Sequence, residues 1–163
     1  LLLLVDVAGQ QLRVVRNGIV ERAFQVSTSR HGTGQRENSF RTPLGLHEVA
    51  GRFGAGHPLG TVFKSREPVG EVLPPACWSE ADPRDLILTR ILHLRGLEQG
   101  FNLGSGVDSF DRFIYIHGTN HEDLLGTPAS HGCIRMGNRD VSTLFNLTEG
   151  LVVWCWIHGG AAT

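Results

Sequence analysis

Three residues in the last third of the sequence have the types and spacing of a nucleophilic site. Cys133 follows His131 by two positions and lies further downstream of His117. A thiol beside an imidazole can lose its proton and become a thiolate, which is the nucleophilic form. Gly132, directly before the cysteine, lets the backbone approach a substrate and lets amide N–H groups converge on a developing oxyanion. The pattern therefore predicts acyl transfer through a covalent cysteine intermediate.

Two other interpretations of these residues remain open from the sequence. Cys133 could be a small buried hydrophobic residue. Alternatively, His117, His121, His131 and Cys133 could bind zinc in a metal-dependent hydrolase. His117 and His121 have the spacing of a helical zinc pair, but the three residues between them are poor helix formers. No glutamate follows the first histidine, as an H-E-x-x-H site requires.

Strand signals dominate the segments that must position these residues. Asn17-Gly18 suits a two-residue type I′ turn between two strands. Alternation of apolar residues predicts a half-buried strand over 86–95, although Asp82-Pro83 resembles a helix start. In the strand 112–117, His117 lies at the end and on the same side as Tyr115. The predicted strands cover 1–5, 11–16, 19–26, 46–49, 86–95, 112–117 and 151–157.

Helical and loop signals are fewer. Asn138 is a suitable N-cap for a short helix over 138–146, and 42–45 is predicted as a tight turn. The Gly- and Pro-rich stretch 51–75 is long for a connector and is predicted to be a flap over the site, from which His57 could reach a substrate. The fold class is therefore mostly β with one or two short helices.

Length and charge restrict the class of protein. The 163 residues fit a single domain over 1–163, and the sequence does not begin with Met, so we expect a soluble fragment of a longer precursor. A net charge of −1 provides no basic field for nucleic acid or anionic lipid. No apolar segment reaches the length of a membrane span.

The motif residues resemble a known family. His117-Gly118-Thr119 followed by Ser130-His131-Gly132-Cys133-Ile134-Arg135-Met136 resembles the signature of L,D-transpeptidase catalytic domains, the YkuD-like family of bacterial cell-wall synthesis. The opening strands, Thr42-Pro43-Leu44-Gly45 and the segment 140–145 are also similar to elements of that family. The resemblance implies an L,D-transpeptidase-like β-sandwich.

The resemblance also implies a role for each motif residue. Cys133 would be the nucleophile and His117 the general base and acid, with His131 in a supporting role and as the second candidate for the base. Because Gly118 has no side chain, a backbone carbonyl would have to orient His117. Arg135 would bind a substrate carboxylate or brace its loop. The residues expected to contact substrate are Arg135, Gly132, Ser130 and Tyr115, and neither a metal nor a cofactor is expected.

The implied reaction acts on peptidoglycan tetrapeptide stems in the periplasm or elsewhere outside the cytoplasm, in cell-wall organisation and cell shape. Cys133 would form a thioester and transfer the acyl group to an amine, giving a 3→3 cross-link; water as acceptor would make the enzyme a carboxypeptidase or amidase. Carbapenems would acylate Cys133. A non-catalytic wall-binding domain remains an alternative. In an oxidising compartment Cys77 and Cys155 could pair and leave Cys133 free.

Overall fold

One ten-stranded sheet forms most of the fold in the computed structural model, which describes residues 1–79 and 82–159. Within these residues there is one α-helix. The elements are β1 (Leu2–Asp6), β2 (Gln11–Arg16), β3 (Ile19–Ser27), β4 (Gly45–Phe53), β5 (Thr61–Lys64), β6 (Glu67–Val72), β7 (Ile87–Gly96), β8 (Tyr115–Gly118), β9 (Ile134–Met136), α1 (Asn138–Leu147) and β10 (Trp154–His158).

The sheet closes on itself. Its strand order is β4-β10-β1-β2-β3-β9-β8-β7-β5-β6, and β4 also pairs with β7. The strands from β4 to β7 in this order therefore form a closed, barrel-like sandwich, and β5 and β6 extend from β7 as a hairpin. The helix α1 packs on β7 and β8. At ten residues, it is too short to cross a membrane. The predicted mostly-β fold is confirmed.

Apolar side chains fill both faces of the strands that carry the site. The main core joins residues of the strands and of α1 and includes Leu3, Val14, Leu92, Ile116, Ile134, Met136 and Leu144. On the opposite face, Phe63, Ile91 and Tyr115 form a second cluster against which Cys133 packs. β7 is thus a strand, as predicted, but it is buried on both faces, and the expectation of a half-buried strand is wrong.

The Asn17-Gly18 prediction is confirmed. Both residues have positive φ, 51° and 79°, as a type I′ turn requires, and they join β2 to β3.

The segment 51–75 is not the long connector that its composition suggests. Its first residues continue β4 to Phe53, and most of the remainder forms the β5–β6 hairpin. Gly54 and Gly60 have positive φ at bends before β5, and Gly70 has positive φ within β6, where the pairing with β5 is irregular. His57 packs edge-on against Phe63 inside this segment.

Several predicted boundaries shift. β8 begins at Tyr115 instead of residue 112, because Phe113 has φ of 55°. β10 begins at Trp154 instead of residue 151. The N-cap of α1 is Gly137, while the Asn138 side chain donates to the Thr119 carbonyl at 2.8 Å.

The segment 42–45 does not form the predicted tight turn: Thr42 is in an isolated bridge and Gly45 begins β4. Thr42 forms an isolated bridge with Thr33, and its hydroxyl donates to the Gly132 carbonyl at 3.0 Å.

The proposed Cys77–Cys155 pair is wrong. All three cysteines lie in the described part of the chain and are free thiols. Cys155 belongs to the main core, whereas Cys77 packs on a separate cluster formed by Val62, Leu73, Trp78 and Leu88.

A buried histidine makes the stability of the fold depend on pH. The ring nitrogens of His47 contact the Gly45 carbonyl at 3.0 Å and Ser109 Oγ at 2.9 Å. Burial lowers the pKa of His47 to about 4. The unfolded chain therefore binds a proton between pH 6.5 and 4 that the folded chain does not, and stability falls as the pH drops through this window.

We expect His47→Asn to remove part of this pH dependence. The residue should account for about 2–3 kcal/mol of the loss in unfolding free energy between pH 7 and pH 4.5. Urea unfolding at both pH values measures the unfolding free energy, with Asp123→Asn as the surface control. An identical pH dependence in His47→Asn and the unsubstituted protein would contradict this assignment.

Candidate active site

The site lies where β8 and β9 run side by side. The two strands pair in parallel, with His117 opposite Arg135, so Cys133 comes immediately before β9 and next to the β8 strand. A cavity of about 120 Å³ opens there. It is lined by Asp85, Ile87, His117, Ser130, His131, Cys133 and Arg135. Five of the seven residues predicted for the site therefore line one cavity, and Gly132 and Tyr115 adjoin it.

The Cys133 thiol is held by two backbone groups. Its Sγ accepts the Tyr115 N–H at 3.4 Å and donates to the Phe113 carbonyl at 3.4 Å. Burial raises the pKa of Cys133 to about 11, although the Tyr115 N–H opposes this shift. The thiol is consequently protonated at neutral pH.

His117 is buried, with 3% of its surface exposed. Its Nδ1 lies 2.7 Å from the Gly118 carbonyl oxygen, as expected of a backbone group that orients the ring. A carbonyl only accepts hydrogen bonds, so Nδ1 carries the proton and Nε2 keeps its lone pair. Burial lowers the pKa of His117 to about 4, while the Gly118 hydrogen bond and the Asp85 charge oppose the shift. The resting pair is a neutral thiol and a neutral imidazole.

The turn before Cys133 is fixed by its own polar groups. Gly132 has φ of 126°, a value that favours glycine. Ser130 Oγ donates to the Cys133 carbonyl at 2.6 Å and accepts the Gly132 N–H at 3.2 Å. The Gly132 N–H is therefore occupied and is not among the amide groups free to face an oxyanion. Ser130 lines the cavity, and its hydroxyl holds the turn.

Both ring nitrogens of His131 form hydrogen bonds. Arg30 Nη2 donates to its Nε2 at 2.7 Å, and its Nδ1 lies 3.0 Å from Asp85 Oδ2. Because a guanidinium only donates and a carboxylate only accepts, Nδ1 carries the proton and the Nε2 lone pair is occupied. This geometry favours the supporting role over that of the base.

Arg135 forms the main charge contact of the cavity. Its side chain is 4% exposed, and its Nη2 lies 2.6 Å from Asp85 Oδ2. Two roles were expected for Arg135, binding a substrate carboxylate and bracing its loop. The contact with Asp85 corresponds to the bracing role. Burial would raise the pKa of Asp85, but the Arg135 charge and the His131 hydrogen bond hold it below its usual value. Asp85 was not predicted, because its segment resembles a helix start rather than a site.

Tyr115 contributes more through its backbone than through its hydroxyl. Its N–H contacts the cysteine, whereas its buried ring packs edge-on against His93 at 4.8 Å. The hydroxyl accepts a hydrogen bond from Arg66 Nη1 at 3.3 Å. The side chain therefore points toward the β5–β6 hairpin.

The alternative zinc set does not assemble. Within residues 1–79 and 82–159, no three His, Cys, Asp or Glu side chains converge as metal ligands. His121 Nε2 instead lies 3.2 Å from the Arg84 carbonyl oxygen.

Comparisons with known proteins identify the family and the fold of this chain. Residues 2–153 match the sequence profile of the L,D-transpeptidase catalytic domain, YkuD. No curated protein sequence matches significantly. Among related solved structures, one is of an L,D-transpeptidase in complex with imipenem, and another is of L,D-transpeptidase 3 from Mycobacterium tuberculosis in complex with a faropenem-derived adduct.

Three further solved structures show the same fold at low sequence identity. L,D-transpeptidase 3 from Mycobacterium tuberculosis is 14% identical with a TM-score of 0.56, covering 96% of this chain and 60% of its own. The enzyme from Mycobacterium smegmatis is 16% identical with a TM-score of 0.53, covering 97% and 58%. That from Xylanimonas cellulosilytica is 17% identical with a TM-score of 0.52, covering 96% and 59%.

The chain thus spans about three fifths of the length of these structures. The profile match extends over nearly the whole sequence and includes every motif residue of the cavity. The chain belongs to the L,D-transpeptidase catalytic domain family.

Proposed function

We propose that this chain is a cysteine-dependent L,D-transpeptidase that acts on peptidoglycan tetrapeptide stems. The observation that carries the proposal is the shared cavity of the Cys133 thiol and the His117 imidazole, with Nε2 of His117 left as the basic nitrogen. Membership of the family supplies the substrate class.

In the first half-reaction, Cys133 Sγ attacks the amide carbonyl between the third residue and the terminal D-residue. The thiol proton passes to His117 Nε2 as the sulfur–carbon bond forms. The imidazolium then donates that proton to the leaving amine as the carbon–nitrogen bond breaks. A thioester remains on Cys133, and a D-amino acid departs.

In the second half-reaction, the side-chain amine of another stem attacks the thioester. His117 accepts the proton of this amine and returns it to the cysteine sulfur as the carbon–sulfur bond breaks. The product is a 3→3 cross-link. Water in place of the amine gives the carboxypeptidase reaction.

The neutral Cys133 thiol and His117 imidazole form a charged pair only when an acyl donor is bound. Burial disfavours both the thiolate and the imidazolium in the free enzyme. The Asp85 carboxylate favours the protonated imidazole, because it raises the pKa of His117. Asp85 thus acts as a positioning residue through Arg135 and His131, and as a nearby negative charge for the imidazolium.

The location and inhibitor sensitivity follow from the same proposal. Peptidoglycan stems lie outside the cytoplasm, so the enzyme would work in the bacterial cell envelope. Relatives have been solved with imipenem and with a faropenem-derived adduct. In this chain, Cys133 would be the residue that a carbapenem acylates.

Substitution of the nucleophile tests the proposal. We expect Cys133→Ala to reduce turnover of purified muropeptides by at least about 1000-fold, because no other group can form the thioester. Mass analysis of the products separates cross-linked dimers from hydrolysed tripeptides. Cys77→Ala is the matched control and should retain activity. Full turnover by Cys133→Ala would exclude the mechanism.

Substitutions of His117 and of His131 should differ in their effect on kcat/KM. His117→Ala should lower kcat/KM by about 100- to 10,000-fold, the range for loss of a general base. His131→Ala should have a smaller effect, since this residue holds Asp85 and Arg30 but has no lone pair available. Both are measured with one tetrapeptide donor. A larger loss in His131→Ala would transfer the base to that residue.

The pH dependence of alkylation should show that the Cys133 thiol is protonated in the free enzyme. The iodoacetamide reaction rate at Cys133 should keep rising well above pH 8.5, where an ordinary thiol titrates, because the pKa of Cys133 is raised to about 11. Peptide mass spectrometry measures the rate from pH 5 to pH 10, with N-acetylcysteine as reference. A fast, constant rate from pH 6 upward would reveal a preformed ion pair.

A further inference from the structure

The tip of the β5–β6 hairpin carries an arginine in an unfavourable backbone conformation. Ser65 and Arg66 have φ of 49° and 69°, the positive values of a two-residue hairpin turn. Such turns favour Asn and Gly, since positive φ is costly for other residues. Arg66 therefore occupies a position where the backbone alone would favour a different residue.

Aromatic side chains hold the Arg66 guanidinium. Its Nη1 donates to the Tyr115 hydroxyl at 3.3 Å. Its Cζ lies 5.4 Å from the ring centre of Phe113 and 5.8 Å from that of Phe53. A planar guanidinium stacks on such faces, which limits its motion while leaving other N–H donors available.

Two of these aromatic residues also hold the nucleophile. Phe113 and Tyr115 contact Cys133 Sγ through their backbone carbonyl and N–H, and contact Arg66 through their side chains. Arg66 does not itself line the cavity, and these two residues separate it from the sulfur. A group a few bonds from the attacked carbonyl could span that separation.

Arg66 has no carboxylate partner in the part of the chain that the structure describes. By contrast, Arg16, Arg84, Arg95 and Arg135 each lie within 3.2 Å of a carboxylate oxygen. Arg66 is only partly exposed and is ordered by neutral groups. Its charge and its fork of donors are free for a ligand.

We propose that Arg66 binds a carboxylate of the acyl-donor stem and so sets a preference for anionic donors. The inference rests on the proposed function and adds a specificity residue outside the motif. A guanidinium can bind a carboxylate through two parallel hydrogen bonds, whereas an amide offers one acceptor and no charge. The carboxylate belongs either to the side chain of the third residue or to the terminal D-residue.

Three matched tetrapeptide donors test the preference: one with both carboxylates free, one with a side-chain amide at the third residue, and one with a C-terminal amide. We expect Arg66→Gln to lower kcat/KM for the free donor by about 10- to 100-fold, the range for a lost charge-assisted hydrogen bond. For the donor whose recognised carboxylate is already an amide, the change should stay below about 2-fold.

Two variants serve as controls. Arg66→Lys keeps the charge but not the fork and should give an intermediate loss, while Lys64→Gln removes an exposed charge from the same hairpin and should not alter the preference. The amidated donor that is insensitive to Arg66→Gln identifies the carboxylate. Equal effects of Arg66→Gln on all three donors, or none, would overturn the proposal.

Binding to an inactive protein separates this inference from the proposed function. In the Cys133→Ala background, Arg66→Gln should weaken binding of the free donor about 10-fold or more and leave the recognised amide donor unchanged. If the active enzyme forms no product but this binding difference is present, the proposed reaction fails and the Arg66 site stands. Unchanged binding of all donors would overturn the Arg66 site.

Discussion

The parallel pairing of β8 with β9 is the constraint on which the rest of the site depends. It sets His117 opposite Arg135 and brings the turn before β9 beside the start of β8. The backbone of Phe113 and Tyr115 can then hold the Cys133 sulfur. Because the strands are buried on both faces, a shift in register would move apolar and polar side chains to the wrong sides. The closed sheet thus fixes the relative positions of Cys133 and His117.

The buried His117 and the partly buried Cys133 share an environment that determines their electrostatic state. The same environment raises the pKa of the thiol and lowers that of the imidazole, so charge is disfavoured on both groups until a donor enters. The nearby charges are arranged in a chain from Arg30 through His131 and Asp85 to Arg135. This chain occupies the polar atoms of His131 and neutralises a buried guanidinium. Of the two histidines in the cavity, His117 is therefore the one whose Nε2 lone pair is available.

Local sequence signals predicted the parts of this arrangement that depend on neighbours in the chain. The motif located Cys133 and both histidines of the cavity, the Asn17-Gly18 dipeptide specified its turn, and alternation identified β7. Contacts between distant segments could not be predicted. Asp85 reaches Arg135 across 50 positions, and its local sequence resembles a helix start. The hairpin that carries Arg66 was not predicted, because the glycines of this segment are typical of loops as well as of bends between short strands.

The central claim is that the Cys133 thiol becomes acylated by a tetrapeptide stem. The most direct measurement is rapid acid quenching of the enzyme with a donor in the absence of an amine acceptor, followed by peptide mass spectrometry. We predict a tripeptide acyl group attached to the peptide that contains Cys133, absent from His117→Ala quenched at the same time. An acyl group on Cys77 or Cys155, or product formation with no acylated cysteine at any time, would contradict the account.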